Sequence, residues 1–371
     1  MGIAFRDIRP ARLFPNHIVI PKTLQFKPDP TSENMRMVIR VLMVGVFSVV
    51  LMAACADDQS GAQADGGGSD ASMEDTGPSV DAAGADVQTS PDVGHDSGSE
   101  PLKSEWTIGP SDRPARVLLP EDYEPDRPLP VIFLFHGYTA TAQIQDSYFE
   151  LSPRRHEREF IVVLAEGHED TTGQQYWNAT DFCCDHYGDE PDDVGYFVEL
   201  LDELLEHDVV DPDRIHLVGH SNGHFFANRL ACDHGDRLAT VVGLAGGGHW
   251  DDADCSANGS VAMLHIHGTS DAVILYAGAI GQYPAARTLA DRWAARNDCS
   301  DDSSIYDNIS VSSIIPGEET TLRGYDDCPD GADVELWSIV GGSHMPVLES
   351  DFTDQILDFA LSRSNPDSMG D

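Results

Sequence analysis

Three residues of types that do chemistry together stand far apart in this chain. Ser221 lies in "GHSNG", with a glycine two places to either side, Asp271 closes "HIHGTSD", and His344 closes "IVGGSH". A serine hydroxyl is a weak nucleophile until a histidine takes its proton. The histidine in turn needs an acid to hold its tautomer and stabilise its charge. Serine, acid, histidine is one of the chain orders in which such a trio occurs. Acids are abundant here and there are 15 histidines, so neither partner means much alone. Each of the three, however, sits just past an apolar run. Together they predict attack on a carbonyl carbon through a covalent acyl intermediate.

The elements that must position them are legible around each one. "RIHLV" before Gly219 reads as a short buried strand. "NGHFFANRLAC" after Ser221 reads as a helix with Phe225, Phe226, Ala227, Leu230 and Ala231 on one apolar face. Ser221 therefore falls on a tight turn, with glycines leaving room and the helix directing its positive end at the hydroxyl. Asp271 follows the strand "VAMLHI", and His344 follows "VELWSI". Charge developing on a carbonyl oxygen needs N–H donors. The Asn222 amide, next after the serine, is one candidate. The Tyr138 amide, in the loop after "VIFLFHG", is the other, with His136 and Gly137 shaping that loop.

Further apolar runs, "ARVLLP", "FIVVLAEG" and "TVVGLAG", alternate with helical patterns. One of these is "DDVGYFVELLDELLEH", where Val194, Phe197, Val198, Leu201 and Leu205 keep helical spacing behind an acidic cap. Strands alternating with helices predict an α/β fold, a mostly parallel sheet covered on both faces, with its site at the C-terminal strand ends. Residues 103–365 suit one such domain, leaving 366–371 as a tail.

Upstream, the composition changes. The chain has 22 Lys+Arg against 64 Asp+Glu, a net charge of -42, which speaks against nucleic acid as a partner. "MRMVIR" precedes the apolar "VLMVGVFSVVLMAAC", too short to span a membrane comfortably and suited to a signal peptide over 35–54. "LMAAC" resembles the bacterial lipoprotein cleavage box, which implies an acylated Cys55 and a membrane anchor through it; by resemblance to known sorting rules, Ala56 ahead of Asp57 implies the outer membrane, the other reading being extracellular. Met35 is then the better start, and 1–34 lie upstream of it. Residues 55–102 carry no Lys, Arg or aromatic residue and read as a disordered acidic tether.

Metal chemistry has its own candidates: His265 and His267 alternate along one strand face, and "FCCD", "DDAD" and "YDDCPDGAD" add thiols and acids. No recognisable ligand spacing joins them, so neither a metal nor another cofactor is expected. Six cysteines besides Cys55 in an exported chain predict three disulfides, among fifteen connectivities. Neighbours Cys183 and Cys184 are not expected to bond each other.

Taken in order, "HGYT", "YWNATDFCCD", "DDVGYFVELLDEL", "VGHSNGHFFANRLAC", "HIHGTSDAVILYAG", "YPAARTLADRWAARNDC" and "ELWSIVGGSHMP" resemble the secreted polyhydroxybutyrate depolymerase and feruloyl esterase branch of the α/β-hydrolases. That resemblance implies Ser221, Asp271 and His344 as a catalytic triad, Trp177 near the acyl pocket, a Cys299–Cys328 bridge, and adjacent cysteines tying a lid to the body. Cys183 and Cys184 would then pair with Cys232 and Cys255 in an open order. The chain departs from the family at Tyr138, His224, Ile274–Leu275 and Ser343, positions that shape the pocket. Rings at Trp177, Tyr138 and His224, together with His136, predict substrate contacts suited to an aromatic acyl group or a sugar. No apolar module for holding a polymer particle is seen. The expectation is therefore an exported serine esterase acting on a small ester or oligosaccharide ester. The other readings are a non-catalytic surface lipoprotein on the same fold, and a peptidase of that fold.

Overall fold

The computed structural model describes residues 103–124 and 126–370. The start at Met35, the signal peptide, Cys55 and the tether lie outside the described residues.

Twelve strands and six helices build the described chain. The strands are β1 (Glu105–Ile108), β2 (Ala115–Leu118), β3 (Leu129–Phe135), β4 (Ile161–Leu164), β5 (His168–Glu169), β6 (Gln175–Tyr176), β7 (Val210–His220), β8 (Thr240–Leu244), β9 (Ala262–Gly268), β10 (Ser303–Ile309), β11 (Thr320–Tyr325) and β12 (Val334–Ile339). The helices are α1 (Ala142–Phe149), α2 (Leu151–Arg158), α3 (Asp193–Leu204), α4 (Asn222–His234), α5 (Ala286–Arg296) and α6 (Phe352–Leu361). Ten strands form one sheet in the order β1-β2-β4-β3-β7-β8-β9-β12-β11-β10, and β5 and β6 form a separate hairpin. The six central strands from β4 to β12 are parallel, and two antiparallel strands close each end.

The alternation of side chains along the parallel strands explains both faces. Phe133, Phe135, Val163, Leu217, Val241 and Met263 pack on one side with α3, α4 and α5. Ile132, Leu134, Val162, Val218, Val242 and Leu264 pack on the other with α1 and α6. Both faces are dry, so these strands read as continuous apolar runs. All seven runs read from the sequence become strands of this sheet. β10 was not expected: "SSIYDNI" is exposed along nearly its whole length, as an edge strand can be.

Two helices differ from expectation in which side they bury. In α3 the buried side is Tyr196, Phe197, Leu200, Leu201 and Leu204, while Val194 and Val198 are only half-buried. Asp192 caps this helix by accepting the Gly195 N–H at 2.8 Å. α4 is buried on nearly all sides, including its polar His224 and Asn228, because it runs directly beneath the site. The segment taken as a tail starts with a 3-10 turn, Pro366–Gly370. Just before it, Asn365 anchors the chain end by donating to the Asp213 and Asp236 carbonyls. No helix among the described residues is long and apolar enough to cross a membrane.

Candidate active site

The site is built at the C-terminal ends of β3, β7, β9 and β12. β7 ends at His220 and the chain turns at once into α4, leaving Ser221 at φ 54°, ψ -120°, a strained conformation for a residue with a side chain. The two flanking glycines permit that turn. A Cβ on Gly219 would lie 2.4 Å from the Gly223 carbonyl oxygen, and one on Gly223 would lie 2.2 Å from the Phe135 carbonyl oxygen. The turn is pinned by Ser221 N–H donating to the Leu244 carbonyl at 2.9 Å.

The structure brings the three separated residues into one hydrogen-bonded line. His344 Nε2 lies 3.0 Å from Ser221 Oγ, and His344 Nδ1 lies 2.8 Å from Asp271 Oδ2. Asp271 Oδ1 accepts the backbone N–H groups of Val273 and Ile274 at 2.8 and 2.9 Å. Burial works against the charge of Asp271, but hydrogen bonds from His267 and His344 outweigh it and hold the carboxyl well below the usual range. A carboxylate here stays ionised and faces the imidazole Nδ1–H.

Around this line stand residues that the sequence reading did not pick out. His220 Nε2 donates to the His344 carbonyl at 3.2 Å, and the Tyr148 hydroxyl donates to the Pro346 carbonyl at 2.7 Å. Together they hold the loop that carries His344. His220 is the residue between glycine and serine in "GHSNG", a position that could have been suspected, whereas Tyr148 comes from α1 and carried no signal.

The loop after β3 passes directly over the serine. A Cβ on Gly137 would lie 3.5 Å from Ser221 Cβ and 3.1 Å from His220 Nδ1. The two expected oxyanion donors stand beside these residues in the chain: Tyr138 follows Gly137, and Asn222 is the first residue of α4, where an N–H has no intrahelical acceptor. The Asn222 side chain adds a second tie. Its Oδ1 accepts the Trp177 N–H at 2.8 Å and its Nδ2 donates to the Trp177 carbonyl, also at 2.8 Å. Trp177 Nε1 then donates to the His136 carbonyl at 3.1 Å.

Three expected substrate contacts are corrected. Trp177 is fully buried and stacks on Phe226 with ring centres 4.8 Å apart. Its indole serves the core and the β3 loop, because packing on α4 turns the ring inward. His136 is fully buried as well. Its Nδ1 donates to Gly137 O and its Nε2 accepts the Gly167 N–H, each at 2.9 Å, so it locks the loop. His224 points from the inner side of α4 against Gly243, where an added Cβ would overlap its ring, and it faces His265 at 4.9 Å. Only Tyr138 is half-exposed, its ring edge-on to His186 at 5.2 Å.

The cysteine expectation is corrected too. Cys183 bonds Cys184, across a cis peptide that sets their Cα atoms 3.0 Å apart, and Cys232 bonds Cys255. A trans peptide would separate the Cα atoms by about 3.8 Å. Cys183 Sγ also accepts from Asn222 Nδ2 at 3.3 Å, placing the pair beside the elbow, not across a lid. Cys299 and Cys328 are bonded to each other. His265 and His267 are buried and bond one another, His265 Nε2 to His267 Nδ1 at 3.2 Å. Among the described residues no cluster of three or more His, Cys, Asp or Glu could hold a metal ion.

Five buried histidines give the fold an acid limit. Burial pushes His216, His220 and His224 down to about 3 and His136 to about 4, and it lowers His265 as well. The unfolded chain binds these protons near pH 6.5. Stability from neutral histidines is therefore complete above that pH and drains away as pH falls below it, with these protons taken up on unfolding. Half-buried His249 is lowered too, and Glu166 and Asp193, raised by burial, oppose this with two groups against six. Melting temperature is expected to fall steeply from pH 7 to 5, and a flat profile over that range would contradict the account.

A ten-stranded, mostly parallel sheet with a serine elbow after its central strand defines the α/β-hydrolase class. Within it, the chain belongs to the Esterase family, described as "Putative esterase", whose match spans residues 107–317. Feruloyl esterase B of Piromyces equi is 26% identical over 243 residues, covering 62% of this chain and 42% of that protein. Feruloyl esterase D of Neurospora crassa is 26% identical over 242 residues, covering 62% of this chain and 73% of that one. Among solved structures, an acetyl xylan esterase from Aspergillus awamori shares the fold, with a TM-score of 0.51 at 12% identity over 69% of this chain and 98% of its own. The match therefore spans less than half of the first relative's length.

Proposed function

We propose that this chain is an exported carboxylic ester hydrolase working through an acyl-enzyme. The observation that carries the proposal is the continuous line Ser221 Oγ, His344 Nε2, His344 Nδ1, Asp271 Oδ2, at 3.0 and 2.8 Å, with the serine held on a left-handed turn. Ser221 Oγ attacks the ester carbonyl while His344 Nε2 takes its proton. Asp271 keeps the other ring proton on Nδ1 and stabilises the imidazolium. The amides of Asn222 and Tyr138 receive the oxyanion, a contribution of roughly 3–4 kcal/mol for each donor lost. His344 then protonates the leaving alcohol. Water, activated by the same histidine, releases the acid.

The favoured substrates are short soluble esters, feruloylated or acetylated oligosaccharides. Family membership and the two feruloyl esterase relatives support this, and Tyr138, half-exposed in the loop after β3, still offers a ring. On methyl ferulate, acetylated xylo-oligosaccharide and hydroxybutyrate oligomers, one of the first two is expected to have the highest kcat/KM. A value for the hydroxybutyrate oligomers tenfold above both would overturn the substrate assignment. Absence of any turnover or fluorophosphonate labelling would favour a non-catalytic binding protein.

Export and anchoring rest on "MRMVIR", the apolar run and "LMAAC". An acyl chain on Cys55 ties the enzyme to the cell envelope, at the outer membrane. Cys55→Ala is expected to move the protein from the membrane to the soluble or unprocessed fraction. Unchanged partitioning would remove Cys55 as the anchor.

A further inference from the structure

Asp271 Oδ2 is shared between two imidazoles. His344 Nδ1 lies 2.8 Å away, and His267 Nε2 approaches from the other side at 3.3 Å. Both Asp271 and His267 are buried. His267 is also 2.8 Å, through the same Nε2, from the Ile274 carbonyl, which can only accept. The proton of a neutral His267 is therefore on Nε2, directed between that carbonyl and the carboxylate. Its Nδ1 is left to accept from His265 Nε2 at 3.2 Å. Donors thus run inward from both ends, from His265 through His267 on one side and from Ser221 through His344 on the other. They meet at a single oxygen.

We propose that His267 is a positioning residue for the triad, holding Asp271 Oδ2 against His344 and taking a share of its charge through the Nε2–H. The inference rests on the reading of Ser221, His344 and Asp271 as the working triad. Oδ1 is fixed by two backbone N–H groups, which stop the carboxylate from sliding but leave it free to tip about that anchor. His267 supplies the second point of attachment. Titratable groups facing the pair are His265 on β9, His220 at the end of β7, His224 on α4, His344, and Tyr276 and Tyr283 from the loop after Asp271. Burial keeps His220 and His224 neutral near pH 7, lowered to about 3, and it lowers His265 as well. Among the described residues, ionised Asp271 is thus the carboxylate that His267 faces there.

The sign of the effect follows from sharing. With the His267 N–H gone, the carboxylate charge falls more fully on His344 and favours its imidazolium. The acid limb of kcat/KM then moves to higher pH, by about half to one unit if one hydrogen bond is lost.

The test uses the full chain with p-nitrophenyl acetate and three variants. His267→Leu removes the donor, His267→Gln keeps an N–H donor, and Ser221→Ala tests the triad separately. Proton NMR of the His344 Nδ1–H is recorded alongside. His267→Leu is expected to shift the acid limb upward and move that resonance, and His267→Gln to restore both most of the way. An unshifted limb and resonance in His267→Leu, while Ser221→Ala abolishes turnover, overturns this role and leaves the triad standing. So does a His267→Gln variant shifted as far as the leucine one. Turnover retained in Ser221→Ala instead overturns the triad reading and the inference with it. Should the leucine variant not fold, the wild type still decides. Nitrogen-15 spectra of its histidines must show His267 protonated at Nε2, and an Nδ1–H tautomer overturns the proposal.

Discussion

Ser221→Ala is expected to lower kcat/KM by about 10⁵–10⁶-fold while leaving the fold in place, since loss of the nucleophile disables the whole triad. The backbone of the elbow supports that separation of effects. Ser221 N–H donates to Leu244 O, and Ser221 O accepts from His224 and Phe225, bonds that an alanine retains. Only the hydroxyl facing His344 disappears. Steady-state kinetics with a melting curve checks both halves, together with loss of fluorophosphonate labelling. Turnover within tenfold of wild type would remove Ser221 from the mechanism.

Asp271→Asn should cost about 10³–10⁴-fold in kcat, and the hydrogen bonds show why. The oxygen of an asparagine at 271 would be retained by the Val273 and Ile274 N–H groups, which need an acceptor. Its NH₂ would then point at His344 Nδ1. That imidazole could only accept there, so its proton would move to Nε2, facing the serine. A histidine in this tautomer cannot take the Ser221 proton. The same NH₂ would also face the His267 Nε2–H, so the variant should melt below wild type, and it should still bind substrate, with the catalytic loss confined to kcat. A kcat within tenfold of wild type would show that the tautomer is fixed by some other group.

Much of the framework was legible in the sequence. Strands buried on both faces advertise themselves as apolar runs, so the parallel centre of the sheet and the ends that carry Ser221, Asp271 and His344 could be read directly. β10 could not, because an exposed edge strand needs no apolar run. Whether a ring faces a cleft or a core is decided by packing between distant elements. Trp177 and His224 looked like ligand contacts for that reason, and α4 turned both inward. His267 was considered only as a metal ligand, since nothing local reveals that its partner is an acid four residues on, across a turn. The Cys183–Cys184 bond depends on a peptide isomer, which residue types do not encode.

The paired bonds between the Asn222 side chain and the Trp177 backbone carry a consequence for preparations of this protein. They join the segment before Cys183 to the elbow, so the two proposed oxyanion donors are organised when the chain folds and not afresh at each turnover. A molecule in which that junction failed to close would keep its sheet, yet leave the otherwise fully buried Trp177 undocked and be inert. Specific activity would then vary between batches through the fraction of competent molecules, with the rate of each competent molecule unchanged. Counting sites by the acyl group or phosphonate they take up, and not protein by absorbance, is the proper denominator for its kinetics.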